Sequence, residues 1–342
     1  MNVKFINCIT INKKHILYMV ILMIITFFEI NDIEKERFVK YLTGHTLRFF
    51  EETIQNIDQE QYLDSDVISV FIHSKVNEKT IDKCTNLKLI ATRSTGTDHI
   101  DLNFTNTKNI SVKNVALYGE NTVAEHTFAL MLSLSRKIHE SYIETTSGNF
   151  STTGLMGFDL KDKTIGIIGG GRIGLHVARM ARSFGMHVRI YDIHKDTFMS
   201  ELINYKYLPL NELFKVSDII SLHVPLNSHT YHIINKESIS KMKDGVIIIN
   251  TARGGLINNA DLIAALENGK IYGAGLDVLE GEEFLFEENI ANSPIESAAK
   301  VIVESTLLSK MPNVVLTPHN AFNSIEAVNR IIDTTVDNII EI

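Results

Sequence analysis

The chain has 342 residues, a length typical of two domains, with 44% hydrophobic residues, 22% charged residues and only five prolines. Its 33 basic and 41 acidic residues give a formal net charge of −8, which argues against nucleic acid as a partner. The two cysteines, Cys8 and Cys84, belong to no metal-ligand or disulfide motif and fit a reducing cytoplasm. The composition therefore predicts an ordered globular protein without a structural metal.

The apolar run at residues 16–28 resembles the middle of a signal peptide, since Lys13 and Lys14 precede it. It is too short to span a bilayer, no small-residue cleavage site follows, and acidic residues begin at Glu29. We therefore predict a buried strand over residues 23–30 and no membrane partner. Residues 1–22 are predicted to be an N-terminal extension, with Met19 or Met23 as alternative starts.

Strands and helices alternate along the first part of the chain. Apolar runs predict strands at residues 23–30, 46–50, 67–72 and 88–92, and helical patterns lie at residues 32–42 and 78–84. This alternation is typical of a parallel sheet with helices on both faces. Residues 121–143 then carry apolar side chains at helical spacing and predict one long buried helix.

A second alternation follows, with predicted strands at residues 164–168, 187–191, 218–223, 246–250, 274–278 and 314–316. Helices are predicted between them at residues 174–184, 211–215 and 259–268. The predicted fold class is α/β, with two doubly wound parallel-sheet domains of the Rossmann or flavodoxin type and a cleft between them. The first domain is expected to comprise residues 23–118 and to return at residues 322–342, with the nucleotide-binding domain at residues 119–321.

A glycine-rich turn joins the strand at residues 164–168 to the next helix. It contains Gly169, Gly171 and Gly174 in the spacing GxGxxG, with Arg172 and Ile173 between the last two. Such glycines permit a tight turn, a close approach to pyrophosphate and close packing of helix on strand. Asp192 ends the next strand and can accept hydrogen bonds from a ribose, so NAD is favoured over NADP. The alternative is a plain strand-to-helix turn beside a solvated acid.

Several motifs in succession resemble the D-isomer-specific 2-hydroxyacid dehydrogenase family, most closely its D-lactate dehydrogenase-like branch. In chain order they are residues 93–101 (RSTGTDHID), 114–118 (NVALY), 121–125 (NTVAE), the glycine turn, 250–255 (NTARGG), 275–282 (GLDVLEGE) and 317–321 (TPHNA). The resemblance covers nearly all of the chain from Met23 onward. It implies NAD-dependent hydride transfer between a small 2-oxo acid and its D-2-hydroxy acid.

Three residues are predicted to be catalytic. Arg253 follows a strand at the sheet edge where ligands bind, and its guanidinium can hold a carboxylate in a bidentate fork. His319 follows the last strand, and a histidine there suits general acid chemistry near neutral pH. The resemblance pairs it with Glu282, which would orient the imidazole. The alternatives are a surface arginine in a local ion pair and a structural histidine.

The resemblance also implies further contacts. Cofactor contacts are expected at Val224, Pro225, Thr251 and Asp277, and substrate contacts at Thr95, Gly96, Tyr118 and Arg253. Phe71, Ser74 and Lys75 are weaker candidates for the pocket. A structural role is the better interpretation of five other histidines, His73, His99, His126, His223 and His232.

Two departures from the family leave alternatives open. Residues 283–318 are long relative to enzymes of the phosphoglycerate type, which favours a small unphosphorylated substrate, and the chain stops at Ile342, where relatives run further. The alternatives are a phosphoglycerate or hydroxypyruvate type of dehydrogenase, an NAD-sensing binding protein without activity, and an inactive subunit. The apolar helix at residues 121–143 predicts a homodimer. The identity of the 2-hydroxy acid and the direction of the reaction stay open.

Overall fold

The computed structural model describes residues 22–282 and 295–342. Two predicted segments lie partly outside the described residues. They are the N-terminal extension, at residues 1–21, and the long segment before His319, at residues 283–294. The chain divides into two compact units. The first unit consists of two segments, the chain up to Tyr118 and Val328–Ile342, and the second unit is Gly119–Ala327.

The first unit is built on a five-stranded sheet in which every pairing is parallel. Its strands are β1 (Ile24–Phe27), β2 (Thr46–Phe49), β3 (Val67–Val70), β4 (Leu89–Thr92) and β5 (Ser111–Lys113), in the order β2-β1-β3-β4-β5. The helices α1 (Asp32–Tyr41), α2 (Glu78–Ile81) and α3 (Leu102–Thr107) connect them. Every residue of β3 and β4 is buried, because helices and loops cover both faces of the sheet.

The second unit contains a seven-stranded parallel sheet in the order β12-β11-β10-β9-β6-β7-β8. Its helices are α4 (Glu120–Ser135), α5 (Ile138–Thr146), α6 (Arg172–Ser183), α7 (Thr197–Ile203), α8 (Leu210–Val216), α9 (Lys236–Ser240), α10 (Asn259–Glu267) and α11 (Ile295–Lys310). Its strands are β6 (Thr164–Ile168), β7 (His187–Tyr191), β8 (Lys206–Tyr207), β9 (Ile219–Leu222), β10 (Val246–Asn250), β11 (Ile271–Leu276) and β12 (Val314–Leu316). The predicted fold class, two doubly wound parallel-sheet domains, is confirmed.

The last helix, α12 (Ile325–Ile340), begins in the second unit and ends in the first. In the first unit its residues Ile332, Val336 and Ile339 pack into the core around Ile25 and Phe38. Across the described residues, no helix combines the length and the apolar character that a membrane crossing requires.

The prediction of one long buried helix over residues 121–143 was wrong. The chain forms α4, breaks at Arg136 and Lys137, and continues as α5, with Lys137 in the left-handed conformation at φ 51°. The carbonyl of Ser135, which a continuous helix would use, accepts instead from the N–H of Phe158 at 2.8 Å. Half of α4 is buried in the core of the second unit, whereas α5 has no buried residue.

Candidate active site

The carboxyl ends of six strands in the second unit lie level with one another. The row consists of residues paired in register, Tyr191, Ile168, Leu222, Asn250, Leu276 and Leu316. The residues that follow these strands therefore emerge side by side along one edge of the sheet. They are, in the same order, Asp192, the glycine turn, His223, Thr251 to Arg253, Asp277, and Thr317 to His319. This is the edge at which doubly wound sheets bind ligands.

The glycine turn has the shape that a pyrophosphate requires. Gly169 has φ 104°, and a Cβ there would lie 2.3 Å from the carbonyl oxygen of His223. A Cβ on Gly174 would lie 2.0 Å from the carbonyl oxygen of Gly169, so helix α6 packs directly on the turn. A Cβ on Gly171 would meet no atom within 4 Å, and no side chain caps α6. The space over Gly171 and the N-terminal amides of α6 thus fit an anionic group.

Asp192 lies beside the glycine turn at the end of β7. One of its carboxylate oxygens accepts from the N–H of Gly170 at 2.6 Å, and the other accepts from the N–H of His194 at 2.7 Å. These two bonds fix the carboxylate at the position where an adenosine ribose is expected in such a fold. The structure therefore brings Asp192 and the glycine turn together.

The segment after β9 also borders the glycine turn. A Cβ on Gly169 would lie 2.9 Å from Val224 Cγ1, so Val224 is a direct neighbour of the turn, and Pro225 follows it. Burial lowers the pKa of the His223 imidazole to about 3, so the ring is neutral at physiological pH. The His223 ring is bonded to the Ser221 hydroxyl at 2.8 Å.

The turn that carries Arg253 is held by its own residues and by a neighbouring turn. The Asn250 side chain accepts from the N–H of Ala252 and donates to the carbonyl of Arg253. Gly254 packs against the backbone of the next turn, since a Cβ there would lie 2.0 Å from the carbonyl of Leu279. Arg253 is partly buried, and its guanidinium donates to the carbonyl of Ala252 at 2.7 Å.

Glu282 and His319 form an imidazole–carboxylate pair. His319 Nδ1 and Glu282 Oε1 are 2.6 Å apart. The other oxygen of Glu282 accepts from the N–H of Leu279 at 3.1 Å. His319 has a left-handed backbone with φ 51°, and its N–H donates to the carbonyl of Asp277. Both side chains are partly buried, and the bond between them restrains the imidazole. Their catalytic roles stay predictions.

Asp277 anchors the loop that carries His319. Its carboxylate accepts from the Thr317 hydroxyl and from the N–H groups of Asn320 and Ala321. Burial alone would raise the pKa of the Asp277 carboxyl, but these hydrogen bonds, together with one from His126, lower it below its ordinary value. Thr251, the other residue predicted to face the nicotinamide, bonds the hydroxyl of Thr127 on α4 at 3.0 Å. The cofactor contacts of Asp277 and Thr251 stay predictions.

Sequence reasoning missed two further histidines that contact the turn at residues 277–282. His126 on α4 lies 3.3 Å from the carboxylate of Asp277. His232 lies 2.6 Å from the carboxylate of Glu280. Both were expected to be structural, and no local pattern separates them from the other histidines of the chain. The signal that could have found them is the turn itself, which carries three acids within six residues.

The predicted substrate residues of the first unit lie after β4 and at the end of that unit's first segment. The loop at Thr95 and Gly96 is braced by side chains, because Ser94 donates to the carbonyl of Gly96 and Asn114 donates to the carbonyl of Thr95. Tyr118 is buried, and its carbonyl accepts from Arg330 on α12. Their substrate contacts stay predictions.

Residues 128–321 match the model of the family described as D-isomer specific 2-hydroxyacid dehydrogenase, NAD binding domain. The chain belongs to this family. It resembles the aromatic 2-oxoacid reductase of Clostridium sporogenes, with 42% identity over 81% of this chain and 82% of that protein. It also resembles the D-lactate dehydrogenase of Escherichia coli (strain K12), with 35% identity over 86% and 89% of the two chains.

Among solved structures, the D-lactate dehydrogenase from Aquifex aeolicus complexed with NAD and lactic acid superposes with a TM-score of 0.84. The identity is 36%, and the likeness covers 92% of this chain and 94% of that one. These relatives place the chain in the D-lactate dehydrogenase-like branch. The protein is thus an NAD-dependent 2-hydroxyacid dehydrogenase, and the fit of its glycine turn to a pyrophosphate agrees with that cofactor.

Proposed function

We propose that this dehydrogenase interconverts a small 2-oxo acid and its D-2-hydroxy acid, with His319 and Glu282 as the acid/base pair and Arg253 binding the substrate. The single observation that carries the proposal is the bond of 2.6 Å between His319 Nδ1 and Glu282 Oε1 at the ligand-binding edge of the sheet. A free carboxylic acid is the preferred substrate class because a guanidinium binds a carboxylate through two parallel hydrogen bonds.

In the reduction direction, the nicotinamide of NADH, when bound, supplies the hydride. His319 holds a proton and gives it to the carbonyl oxygen of the substrate as the carbon gains the hydride. Because Nδ1 is engaged by Glu282, we assign that proton to Nε2. The ionised Glu282 stabilises the imidazolium before transfer and keeps the ring in place afterwards. One hydride and one proton are consumed, and solvent returns the proton to His319.

Arg253 has two tasks in this scheme. Its guanidinium holds the substrate carboxylate and polarises the neighbouring carbonyl towards attack. The Asn250 side chain braces the turn that presents it. We keep Thr95, Gly96 and Tyr118 as further proposed substrate contacts, and Val224, Pro225, Thr251, Asp277, Arg172 and Ile173 as proposed cofactor contacts beside Gly169, Gly171, Gly174 and Asp192.

The test is NADH oxidation by the full chain with pyruvate, glyoxylate, hydroxypyruvate, phenylpyruvate and a branched 2-oxo acid, followed by chiral analysis of the product. Phenylpyruvate belongs in the panel because one relative is named an aromatic 2-oxoacid reductase. We expect turnover with at least one of them and a D product. NADH binding without turnover on any of them would overturn the proposal and favour the NAD-sensing alternative.

Variants of the pair sharpen this test. His319→Gln is expected to lower kcat on the order of 10²-fold to 10⁴-fold, because it removes the general acid. Glu282→Gln retains a hydrogen-bonding group at the same position without the charge, so its loss of kcat should be smaller. Both variants should bind NADH as the wild type does. Unchanged kcat in H319Q would contradict the assignment.

We also propose that the protein is a homodimer, through a surface that overlaps only the end of the segment first expected to form it, residues 121–143. Residues 138–156 expose Ile138, Tyr142, Ile143, Phe150 and Met156, with exposed fractions between 57 and 87%. A second copy of the chain is the occupant that would cover these exposed apolar side chains. Light scattering should report a dimer, and Phe150→Asp should give a monomer. Phe198→Asp, at a residue of α7 that is 70% exposed, is the matched control and should stay dimeric.

A further inference from the structure

The turn at residues 277–282 carries three carboxylates, and each contacts an imidazole from a different part of the second unit. Asp277 meets His126 from α4, Glu280 meets His232 from the segment before α9, and Glu282 meets His319 after β12. The proposed chemistry uses only the third pair. The pair of Glu280 and His232 therefore needs an explanation of its own.

The hydrogen bonds around His232 indicate which of its ring nitrogens carries the proton. Asn258 accepts from the N–H of Asp261 through Oδ1, so its Nδ2 is the atom that faces His232 Nδ1 at 3.3 Å. Nδ1 is thus an acceptor, and the proton resides on Nε2, which donates to Glu280 Oε1 at 2.6 Å. The Tyr231 hydroxyl donates to the same oxygen at 3.0 Å. This hydrogen bond to Glu280 is the main reason why the pKa of Tyr231 is raised.

The backbone of His232 is a second, independent observation. It has φ 50°, in the left-handed region that few residues other than glycine adopt, and His319 has φ 51°. Both histidines that hold Glu280 and Glu282 are therefore kept in an uncommon backbone conformation by their surroundings. Such conformations cluster at functional sites, because the fold must over-determine them.

A short path connects Glu280 to the acid/base pair. Glu282 accepts from the N–H of Leu279 through Oε2 and from His319 through Oε1, so the position of the Leu279 backbone determines where the Glu282 carboxylate lies. Glu280 follows Leu279 directly, and Gly254 packs against both of their backbones. A side-chain anchor on Glu280 thus restrains the segment that orients Glu282.

We propose that His232 and Glu280 are positioning residues, which fix the turn at Leu279 so that the Glu282 carboxylate meets His319 Nδ1. This inference rests on the proposed acid/base role of Glu282 and His319. His232 and Glu280 exchange no proton with the substrate. Their removal should therefore impair the chemical step and leave the binding of NADH unaffected.

The principal variant is His232→Asn, because asparagine tolerates the left-handed backbone but its shorter side chain cannot reach Glu280. His232→Gln is the conservative partner, with an amide N–H that can replace Nε2–H. Glu280→Ala and the double variant H232N/E280A complete a cycle. The matched controls are His187→Asn at the exposed start of β7 and Glu237→Ala on α9, where the carboxylate pairs with Lys241.

With the best substrate of the panel, we expect H232N and E280A to lose kcat on the order of tenfold to a hundredfold, the scale on which small misplacements act. The NADH dissociation constant should stay within about twofold, and a deuterium isotope effect on kcat with 4-deuterated NADH should rise, because hydride transfer becomes slower. H232Q should recover most of the activity. The kcat of the double variant should be no lower than that of the less active single variant, since both substitutions break the same contact between His232 and Glu280.

Three results would overturn the inference. They are wild-type kcat in H232N and E280A, losses that multiply in the double variant, and a fall in NADH affinity that matches the fall in kcat. Failure of the proposed function itself is distinguishable, because the wild-type protein would then show no turnover with any 2-oxo acid.

Discussion

The carboxylate of Asp277 accepts a hydrogen bond of 2.9 Å from the N–H of Ala321, and this bond ties the end of β11 to the loop that carries His319. The Thr317 hydroxyl and the N–H of Asn320 bond the other oxygen of the same carboxylate. One buried side chain thus holds both sides of His319. The loop that carries the proposed general acid is therefore anchored by a residue that follows a different strand, β11.

Asp277→Asn should therefore lower both stability and activity. The amide places an N–H₂ group against backbone N–H donors in a buried site, and we expect the free energy of unfolding to fall by roughly 2–4 kcal/mol. kcat should fall as well, because the His319 loop is released. Urea unfolding and steady-state kinetics at pH 7 check both effects. An unchanged unfolding midpoint would contradict the anchoring role.

The loss of stability in the Asp277→Asn variant should depend on pH. The folded pKa of Asp277 lies below its ordinary value, so its stabilising effect is present at pH 7 and is lost as the pH falls through the folded pKa. The difference in unfolding free energy between wild type and D277N should be largest near neutral pH and should narrow below about pH 4. A constant difference from pH 7 to pH 3 would show that Asp277 ionisation contributes nothing.

Substitution of two glycines in the cofactor turn should have different effects, one on cofactor binding and the other on the stability of the fold. A Cβ at Gly171 meets no protein atom within 4 Å, so Gly171→Ala should fold normally but should weaken NADH binding by roughly tenfold or more, as it occupies the pyrophosphate space. At Gly174 a Cβ would lie 2.0 Å from the carbonyl oxygen of Gly169, so Gly174→Ala should lower the melting temperature. Thermal unfolding and NADH fluorescence titration distinguish the two effects.

Neighbouring glycines beside Arg253 provide a matched pair. Gly254→Ala should lower kcat by about tenfold or more, because its Cβ would meet the Leu279 carbonyl at 2.0 Å and force the two turns apart. Gly255→Ala is the control, since its Cβ would meet side chains and no backbone, the flexible Leu226 at 3.0 Å and Tyr231 at 3.6 Å. Equal activity of the two variants would show that the packing of the Arg253 turn on Leu279 does not affect catalysis.

Cys84 should be unreactive in the native protein. Burial raises the pKa of its thiol to about 11, so the nucleophilic thiolate is scarce at pH 8. In a Cys8→Ala background, labelling by a disulfide reagent at pH 8 should be slow until urea unfolds the first unit. The raised pKa also means that the protonated thiol of Cys84 stabilises the fold. This contribution to the free energy of unfolding is complete below about pH 8.5 and is lost as the pH rises towards 11. Rapid native labelling would contradict this burial.

Much of the fold could be predicted because local patterns carry it. The strands at His187–Tyr191, Val246–Asn250 and Val314–Leu316 lie where apolar runs predicted them. The prediction failed where a distant group decides the local structure. Residues 121–143 have a continuous helical pattern, yet the N–H of Phe158 takes the Ser135 carbonyl and the helix ends there.

The proposed acid/base pair shows the same division. The position after a strand pointed to His319 alone, and only the resemblance to a family supplied Glu282 as its partner. The contact of Glu280 with His232 spans 48 positions. The three acids of the turn indicate that it has partners, but the local sequence does not indicate which histidines they are. Histidines are common, and a contact at that separation depends on which strands are neighbours.

By itself, the sequence determined the alternation of strands and helices, the glycine turn and the residue types at each strand end, because these depend on side-chain periodicity and on backbone freedom within a few residues. Only the tertiary structure decided which carboxylate meets which imidazole, where α4 ends, and which apolar side chains stay exposed. Those features depend on the order and register of strands that are far apart in the chain, and local chemistry does not encode such pairings.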